Sequence, residues 1–388
     1  LLHSGGRYAS ADTETAAECR AEAEILKRVA RECVDDCSGL FVAVAGDDPE
    51  FAERFPEHCR KARIDCLPLP PAEARKMEPA LSESTFAAYQ VPDASIDPFR
   101  LTLANVHHAQ QLTESRYLPH TEVIGFDIDG GFIRTVRCRD NRSGRSRRIV
   151  ARQVVDAAGA WAMEVARLDG CDDVHLLYAK GTLIISNTRV TDRVINRLRP
   201  PGDGDILVPG GTVSVLGTTS DRVAGLDIIR PTVEEADRNL AEGVKMVPAL
   251  AATRFVRAFS GVRPLLMSGD SGTDGRKASR GFTLFDHQDQ GLANFATITG
   301  GKLTTYRLMA EKTGNLVARR LGNNRPSRTD SEPLPSVDPV RWTEPGFSAR
   351  QWFRRKDPAD PILCECEMVP ASAVDAIVSD APGAEPHM

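Results

Sequence analysis

The apolar positions of the chain recur at two spacings, which separate predicted helices from predicted strands. Spacings of three and four residues predict helices at about 14–34, 48–63, 71–81, 97–111, 232–246 and 306–321. Short apolar runs predict strands at about 40–44, 86–91, 123–128, 132–138, 254–263, 281–285 and 293–298. Residues 175–219 are rich in short predicted strands broken by glycine. Segments of α/β character therefore flank a mixed, mostly antiparallel middle.

The chain is organised around the stretch from Ala296 to Ala310, where a buried strand runs into Gly300-Gly301, then Lys302, then a helix. Two glycines at such a junction let the backbone approach a ligand closely. The N-terminus of the following helix presents unpaired N–H groups and the positive end of its dipole, which suits an anion. This pattern predicts an anion site, although a strand–turn–helix with a surface lysine has the same local signature.

Composition narrows the classes of function. The chain has 388 residues, of which 41% are hydrophobic and 27% charged, as in ordinary globular proteins, and its length predicts two closely connected domains. A formal net charge of −5 indicates no general affinity for nucleic acid. No apolar run reaches the roughly 18 residues of a membrane-spanning helix. The nine cysteines form no CxxC pair, which predicts reduced thiols and a cytoplasmic setting.

Four cationic residues stand beside predicted breaks in regular structure: Arg7, Arg263, Arg280 and Lys302. Taken singly, each is expected to be a surface cation with a carboxylate nearby. Taken together, they would suit a small dianion, because guanidinium groups bind phosphate bidentately. A second small-residue turn follows the predicted strand at 153–156 and includes Ala158 and Gly159, where a backbone can pack closely against a cofactor.

Six segments resemble motifs of the FAD-dependent glycerol-3-phosphate dehydrogenases. They lie at 4–8, 92–100, 156–161, 260–264, 279–281 and 299–307. The chain is particularly similar to the A-subunit of the anaerobic, quinone-linked enzyme, from Leu1 to about residue 325 and again from Cys364. The resemblance implies an α/β fold of the D-amino-acid-oxidase type: an FAD-binding domain in discontinuous pieces, with an antiparallel substrate-binding domain.

The activity implied by this resemblance is oxidation of sn-glycerol 3-phosphate to dihydroxyacetone phosphate. Hydride passes to FAD, and electrons go on to a quinone. The matching positions assign the substrate phosphate to Arg7, Arg263 and Arg280, and a place beside the flavin and substrate to Lys302. His287 is a candidate for the proton-accepting group, with a partly exposed turn histidine as the alternative. Tyr8 is a further candidate member of the site, and Lys302, His287 and Tyr8 are the predicted catalytic residues. The residues expected to contact FAD are Ser4, Gly5, Gly6, Ala158, Gly159, Gly300, Gly301, Lys302, Leu303 and Thr304.

The chain departs from the family pattern near its ends. It has no GxGxxG motif, which in the family cradles the pyrophosphate of FAD, so we expect a truncated chain that binds FAD poorly by itself. Cys364 and Cys366 resemble half of a four-cysteine [2Fe–2S] site, which is expected to be complete only in a full-length form. The predicted division assigns FAD-domain pieces to 1–45, 151–170 and 286–325, a shared part to 46–150 and the substrate domain to 171–285. It places a linker at 326–360 and an incomplete [2Fe–2S] domain at 361–388.

Two alternatives remain open from the sequence. One is an oxidoreductase of the same fold that acts on an amine, an amino acid or a 2-hydroxy acid. The other is a non-catalytic scaffold protein. The resemblance also implies two partners, a second flavoprotein subunit together with an iron–sulfur membrane-anchor subunit, and indirect access to the quinone pool. It places the protein on the inner face of the cell membrane as a peripheral protein.

Overall fold

The computed structural model describes residues 1–168, 170–171, 173–227, 229–266, 281–335, 359–364, 369–372 and 374–375. Within these ranges, the α-helices are Thr13–Val29 (α1), Pro49–Lys61 (α2), Pro71–Met77 (α3), Pro98–Leu112 (α4), Ala162–Arg167 (α5), Val233–Met246 (α6) and Tyr306–Arg320 (α7). None of them is both long and apolar enough to span a lipid bilayer.

The strands of the same ranges are mostly short, and most run antiparallel to their neighbours. They are Val34–Asp35 (β1), Gly39–Ala43 (β2), Leu67–Leu69 (β3), Ala87–Val91 (β4), Ser95–Ile96 (β5), Thr121–Asp129 (β6), Phe132–Asp140 (β7), Ser146–Val150 (β8), Val154–Asp156 (β9), Leu176–Ser186 (β10), Val194–Arg197 (β11), Ile206–Gly210 (β12), Val213–Gly217 (β13), Asp221–Val223 (β14), Phe255–Leu266 (β15), Phe282–Asp286 (β16), Phe295–Gly300 (β17), Ile362–Cys364 (β18) and Val369–Pro370 (β19).

Nine strands form the largest sheet of the described chain, in the order β14-β10-β13-β12-β11-β2-β4-β3, with β15 paired to β10. Strands β11 and β2 form a parallel pair within it, in which Ile195 lies opposite Leu40. Helix α6 covers this sheet, and the core between them includes Leu216, Met246 and Leu250. The helix begins with the predicted capping box, in which the Thr232 and Glu235 side chains and backbones bond reciprocally.

A smaller sheet in the order β16-β17-β9 carries the stretch from Ala296 to Ala310. Strands β17 and β9 run parallel, with Thr297 opposite Asp156. Strand β17 is almost wholly buried, as its unbroken apolar pattern predicts. Phe295 and Ala162 belong to a core shared with the antiparallel sheet of β6, β7 and β8.

The described residues fall into two compact units. One comprises Leu1–Ile96 and Arg116–Pro333, and the other comprises Asp97–Ser115 with the described part of Leu334–Met388. In the second unit, α4 starts as predicted, because the Asp97 carboxylate accepts hydrogen bonds from the backbone of Phe99 and Arg100. The finer domain boundaries given above stay a prediction.

Some predicted element ends were wrong for local reasons. The first helix ends at Val29, and a 3₁₀ turn at Arg31–Cys33 follows it. Helix α3 ends at Met77 because Glu78 precedes Pro79, which disfavours helical backbone at that position. Strand β15 continues through Pro264 to Leu266, since it pairs only with β10 among the described strands and an edge strand tolerates proline.

Candidate functional site

The carboxyl ends of two parallel strands, β9 and β17, lie side by side. Strand β9 runs into the turn that holds Ala158 and Gly159, and β17 runs into Gly300-Gly301. The Thr299 hydroxyl donates to the Gly159 carbonyl oxygen at 3.2 Å, so the two predicted turns are neighbours. Ligands of open α/β sheets bind outside the carboxyl ends of parallel strands. This edge is therefore the candidate site.

Gly300 and Gly301 are required here by backbone conformation. Their φ angles are +82° and +69°, a left-handed region that side chains disfavour. A Cβ at Gly300 would lie 2.8 Å from the Gly281 carbonyl oxygen, and one at Gly301 would lie 2.6 Å from Met309 Sδ. The left-handed pair turns the chain sharply out of β17 and places Lys302 at its end.

Lys302 meets residues of the N-terminal segment at this end of β17. Its Nζ atom lies 4.6 Å from the centroid of the Tyr8 ring, a cation–π contact. The His3 ring packs edge-on against Tyr8 at 5.2 Å. Lys302 also forms a hydrogen bond with the buried Cys19 thiol on α1, whose pKa burial raises to about 11 although the ammonium opposes that rise. Lys302 and Tyr8, two of the predicted catalytic residues, are thus in contact.

A buried carboxylate holds the loop before Tyr8 in place. Asp93 accepts the Ser4 backbone N–H at 2.6 Å and the Asn196 amide at 3.0 Å. Burial raises the pKa of this carboxyl. Gly5 and Gly6 face protein atoms, since added Cβ atoms would lie 2.3 Å from the Ala16 carbonyl oxygen and 2.8 Å from the Phe41 ring. Close packing within the chain therefore accounts for these two glycines, while their predicted contact with FAD stays a prediction.

An ion pair that the sequence analysis missed ties the helix after Lys302 to α1. Both Glu22 oxygens accept from Arg307, at 2.8 Å from Nε and 2.6 Å from one terminal nitrogen. The pair is buried, and its hydrogen bonds hold the pKa of Arg307 above the ordinary value against the effect of burial, which lowers it. The sequence held one signal of this pair, because Glu22 is a charged residue on the apolar face of α1, between Cys19 and Leu26.

The predicted phosphate-binding cations lie in different surroundings. Arg7 donates to the Asp205 carboxylate at 2.7 Å and to the Arg197 carbonyl oxygen at 3.0 Å, both within a buried network. The Arg263 guanidinium occupies the space beside Gly181 that a side chain would fill. It donates to the Thr218 hydroxyl at 2.9 Å and to the Thr219 carbonyl oxygen. Arg280 lies outside the described residues. Arg7 and Arg263 therefore have different partners, and the phosphate role of the three arginines stays a prediction.

His287 lies at the other end of the strand pair from Lys302. It follows Asp286, which pairs with Ala296, four residues or roughly 13 Å along β17 from Gly300. The ring is fully buried and stacks on Phe295 at 4.7 Å, so the alternative of a partly exposed histidine was wrong. Its nitrogens lie 2.7 Å from Gln290 Oε1 and 2.9 Å from Thr297 Oγ1. The structure does not bring His287 to the candidate site.

The remaining predicted residues are placed as follows. Leu303 and Thr304 begin the 3₁₀ turn that leads from Lys302 into α7; Leu303 is exposed, and Thr304 is buried. Cys364 ends β18, whereas Cys366 lies outside the described residues. The half-site that these cysteines are expected to supply stays a prediction.

Comparison with known proteins decides the family. The family described as "FAD dependent oxidoreductase" matches residues 1–311. The chain is 41% identical to the A-subunit of anaerobic glycerol-3-phosphate dehydrogenase of Escherichia coli K12, over 98% of this chain and 73% of that protein. The chain belongs to this family of flavoproteins. The A1-subunit of the same enzyme from Haloferax volcanii is 37% identical over 95% of this chain and 68% of its own length.

A solved structure extends the comparison to the fold of this flavoprotein. L-α-glycerophosphate oxidase from Mycoplasma pneumoniae, with FAD bound, superimposes with a TM-score of 0.64 at 17% identity. The match covers 87% of both chains. The predicted fold, with mixed helices and sheets of the D-amino-acid-oxidase type, is confirmed.

The residues at the ends of β9 and β17 fit a flavin cofactor. Space is open beside Gly159, where an added Cβ would meet nothing within 4 Å. The Thr304 Oγ1 atom is buried and has no hydrogen-bond partner among the described residues, as expected of an atom that serves a ligand. FAD is the cofactor of this family. The open space beside Gly159 and the Thr304 hydroxyl, which is unpaired within the described chain, lie at the carboxyl ends of the parallel strands, where nucleotides bind in such folds.

Proposed function

We propose that this flavoprotein oxidises sn-glycerol 3-phosphate to dihydroxyacetone phosphate and transfers the electrons, through its partners, to a quinone. Identity of 41% to a component of the anaerobic dehydrogenase supports this assignment. One structural observation carries it: Lys302, in contact with Tyr8, stands at the carboxyl ends of β9 and β17 beside the glycine turns. At that edge a cofactor can come close to the backbone of the glycine turns, and the Lys302 ammonium supplies a positive charge beside it.

The reaction removes a hydride from carbon 2 and a proton from its hydroxyl, and leaves a carbonyl group. Bound FAD supplies the two-electron oxidant. Gly159, Gly300, Gly301 and Thr304 would hold it, and the Lys302 ammonium would favour negative charge on the reacting oxygen or on the cofactor. The Tyr8 ring limits the positions open to the ammonium.

We assign proton acceptance to the end of β17 that carries Lys302. Tyr8 is the candidate that lies there, since its ring contacts Lys302; its phenol can take the proton only as a phenolate or by handing on its own proton. His287 is buried about four residues away along the strand pair, and both of its ring nitrogens lie beside protein atoms. A proton acceptor must come within hydrogen-bond reach of the substrate hydroxyl. This requirement favours Tyr8 over His287.

For the phosphate group, we assign Arg263 the main role and keep Arg280 as its predicted companion. The Arg263 guanidinium lies over Gly181, where the missing side chain leaves room for it. Arg263 donates to the Thr218 hydroxyl and to the Thr219 carbonyl oxygen, and Arg7 donates to the Asp205 carboxylate. A guanidinium already neutralised by a buried carboxylate is a weaker receptor for a dianion, which argues against Arg7 as the main phosphate ligand.

Steady-state kinetics of the full-length FAD-loaded protein with a quinone analogue test this assignment. We expect turnover with sn-glycerol 3-phosphate and little with glycerol, L-lactate, glycine or L-proline. Arg263→Ala should raise KM for glycerol 3-phosphate about 10- to 100-fold, as expected from the loss of charge-assisted bonds. Arg257→Ala is the matched control, because Arg257 lies on the same strand over the Phe259 ring.

The outcomes separate the alternatives. Unchanged KM in Arg263→Ala would remove the phosphate role. Turnover of an amino acid or a 2-hydroxy acid in preference to glycerol 3-phosphate would favour the other oxidoreductase class. Stoichiometric flavin with no turnover of any of these substrates would favour the scaffold protein.

The proposed function also implies partner subunits and a membrane location for this protein. The relatives are themselves named as subunits of an enzyme, which supports assembly with further chains. We infer a second flavoprotein subunit, together with an iron–sulfur subunit that anchors the assembly to the inner face of the membrane. Co-purification from detergent-solubilised membranes, identified by mass spectrometry, tests this inference, and recovery of the protein without companions would contradict it.

A further inference from the structure

Away from the candidate site, three side chains with metal-binding atoms converge on His287. They are Cys171 and Asp173, from the connection between α5 and β10, and His287, from the turn after β16. One ligand atom from each lies within 4.8 Å of the other two. Cys171 and His287 are buried, and Asp173 is partly exposed, with 27% of its side-chain surface accessible. We call these three residues the His287 cluster.

The hydrogen bonds around the cluster fix which atoms face one another. The Gln290 amide nitrogen donates to Asp173 Oδ2 at 2.7 Å. The Gln290 Oε1 atom therefore points to His287 Nδ1, also at 2.7 Å. Asp173 Oδ1 lies 3.5 Å from the same nitrogen, is buried and has no hydrogen-bond partner among the described residues. Electron-rich oxygen atoms thus surround Nδ1, next to the Cys171 sulfur.

The opposite ring nitrogen has the partner that a metal-binding histidine needs. His287 Nε2 lies 2.9 Å from Thr297 Oγ1, which donates to Asp156 Oδ2 at 3.3 Å. When Thr297 gives its one proton to Asp156, it must accept the Nε2 proton, which leaves the Nδ1 lone pair facing the cluster. Such outer partners orient the ring of a ligating histidine.

If Thr297 instead donates to Nε2, Nδ1 carries the proton and donates it to Gln290 Oε1, which still leaves the buried Asp173 Oδ1 atom without a partner among the described residues. A metal ion at the cluster would serve Asp173 Oδ1 and the Nδ1 lone pair together. A tetrahedral ion with bonds of about 2.0–2.1 Å separates its ligands by about 3.3 Å, close to the 3.5 Å between Nδ1 and Asp173 Oδ1.

We propose that Cys171, Asp173 and His287 bind a divalent transition-metal ion of the zinc class. A thiolate, an imidazole and a carboxylate together suit Zn²⁺ better than Mg²⁺ or Ca²⁺, which prefer oxygen ligands alone. The ion would join the connection after α5 to the turn between β16 and β17. It would act as a structural clamp at the opposite end of the strands from Lys302.

Metal content is measured on the untagged, full-length, FAD-loaded protein, with Zn²⁺ as the probe. Every variant carries Cys364→Ser and Cys366→Ser, because that pair is itself a predicted ligand set. We expect about one zinc ion per chain after dialysis, as for a single site with three protein ligands. Cys171→Ser and Asp173→Asn should lose it. Cys138→Ser, another buried cysteine, is the matched control and should keep it.

Two further measurements do not depend on those variants. Replacement with Co²⁺ should give a sulfur-to-cobalt charge-transfer band in the difference spectrum against the EDTA-treated protein. Thr297→Val should weaken zinc binding about 10- to 100-fold, since it removes the outer partner of His287. The proposal is overturned if the parent protein holds no zinc above the EDTA-treated level, or if Cys171→Ser and Asp173→Asn bind zinc as the parent does. A metal-independent, doubly protonated His287 in the nitrogen NMR spectrum would assign the cluster to an internal ion pair.

Discussion

At the scale of single residues, the partner of a cation decides its role. Arg7 and Lys302 both stand beside breaks in regular structure. The Arg7 guanidinium is bound by a buried carboxylate, Asp205, with a distance of 2.7 Å between the closest atoms. Lys302 instead lies over the Tyr8 ring at the end of β17. An aromatic face attracts the ammonium without cancelling its charge.

Replacement of Lys302 by Met should lower kcat with glycerol 3-phosphate about 100-fold, because one preorganised charge near the reacting atoms is lost. The loss is measured as steady-state turnover of the FAD-loaded protein. Lys312→Met is the control, since the Lys312 Nζ atom also lies over an aromatic ring, that of Phe282, at 4.7 Å. Equal activity of Lys302→Met and Lys312→Met would remove Lys302 from the reaction.

The Cys19 thiol should make stability depend on pH at the alkaline end. Burial raises its pKa from 9.0 to about 11, so the folded protein holds the proton after the unfolded chain has lost it. Stability from this residue is complete below pH 9 and is lost as the pH rises towards 11, by about 2–3 kcal/mol in all. Urea unfolding of the parent and of Cys19→Ser between pH 8 and 11 measures the difference. Parallel pH profiles would contradict the prediction.

At the scale of elements, the strand–glycine–lysine–helix stretch acts as a unit. Strand β17 is buried, the glycines turn the chain, and Arg307 in the first turn of α7 binds Glu22 on α1. The ion pair joins the helix after Lys302 to the helix that follows Tyr8. Each part has a local cause, but only their combination sets Lys302 against Tyr8.

Gly300→Ala should lower the free energy of unfolding by about 1–3 kcal/mol, the cost of a strained backbone conformation. Its Cβ would meet a backbone oxygen, that of Gly281, which cannot move aside as a flexible side chain can. The variant should also release FAD more readily, as measured by flavin fluorescence. Gly314→Ala, in open space on α7, is the control and should be neutral or slightly stabilising. Similar stability of the two variants would show that the turn tolerates a side chain.

At the scale of the whole molecule, buried polar contacts join segments that are far apart in the chain. The Arg7–Asp205 bond links the N-terminal loop to the chain just before β12, and Asp93 links the same loop to Asn196 on β11. These contacts hold the loop that carries Tyr8 against the nine-stranded sheet. The position of Tyr8 is therefore set by the body of the fold.

Arg7→Ala should lower the free energy of unfolding by about 1–3 kcal/mol, because the buried Asp205 carboxylate loses one cation and keeps Arg199, 2.7 Å away. A primary role in phosphate binding would instead raise KM with little loss of stability. Denaturant unfolding and steady-state kinetics on the same preparation distinguish the two. Arg20→Ala is the control, since its pair with Asp65 is exposed and separated by 3.7 Å; it should cost under about 1 kcal/mol.

The sequence by itself determined the features that depend on near neighbours. The periodicity of α1, the capping box of α6, the cap of α4 and the buried strand before Gly300-Gly301 all follow from residues within a few positions of one another. Family motifs added the fold and the cofactor, because they preserve residue types around a common binding geometry.

The tertiary structure alone decided which of the predicted functional residues come into contact with one another. It brought Lys302 to Tyr8, tied Arg7 to Asp205, and placed His287 beside Cys171 and Asp173 at the far end of the strands. It also paired β2 with β11 in parallel inside the large sheet. Side-chain charge and type are local properties, but a pairing across more than a hundred residues depends on sheet order and burial, which short-range patterns do not encode.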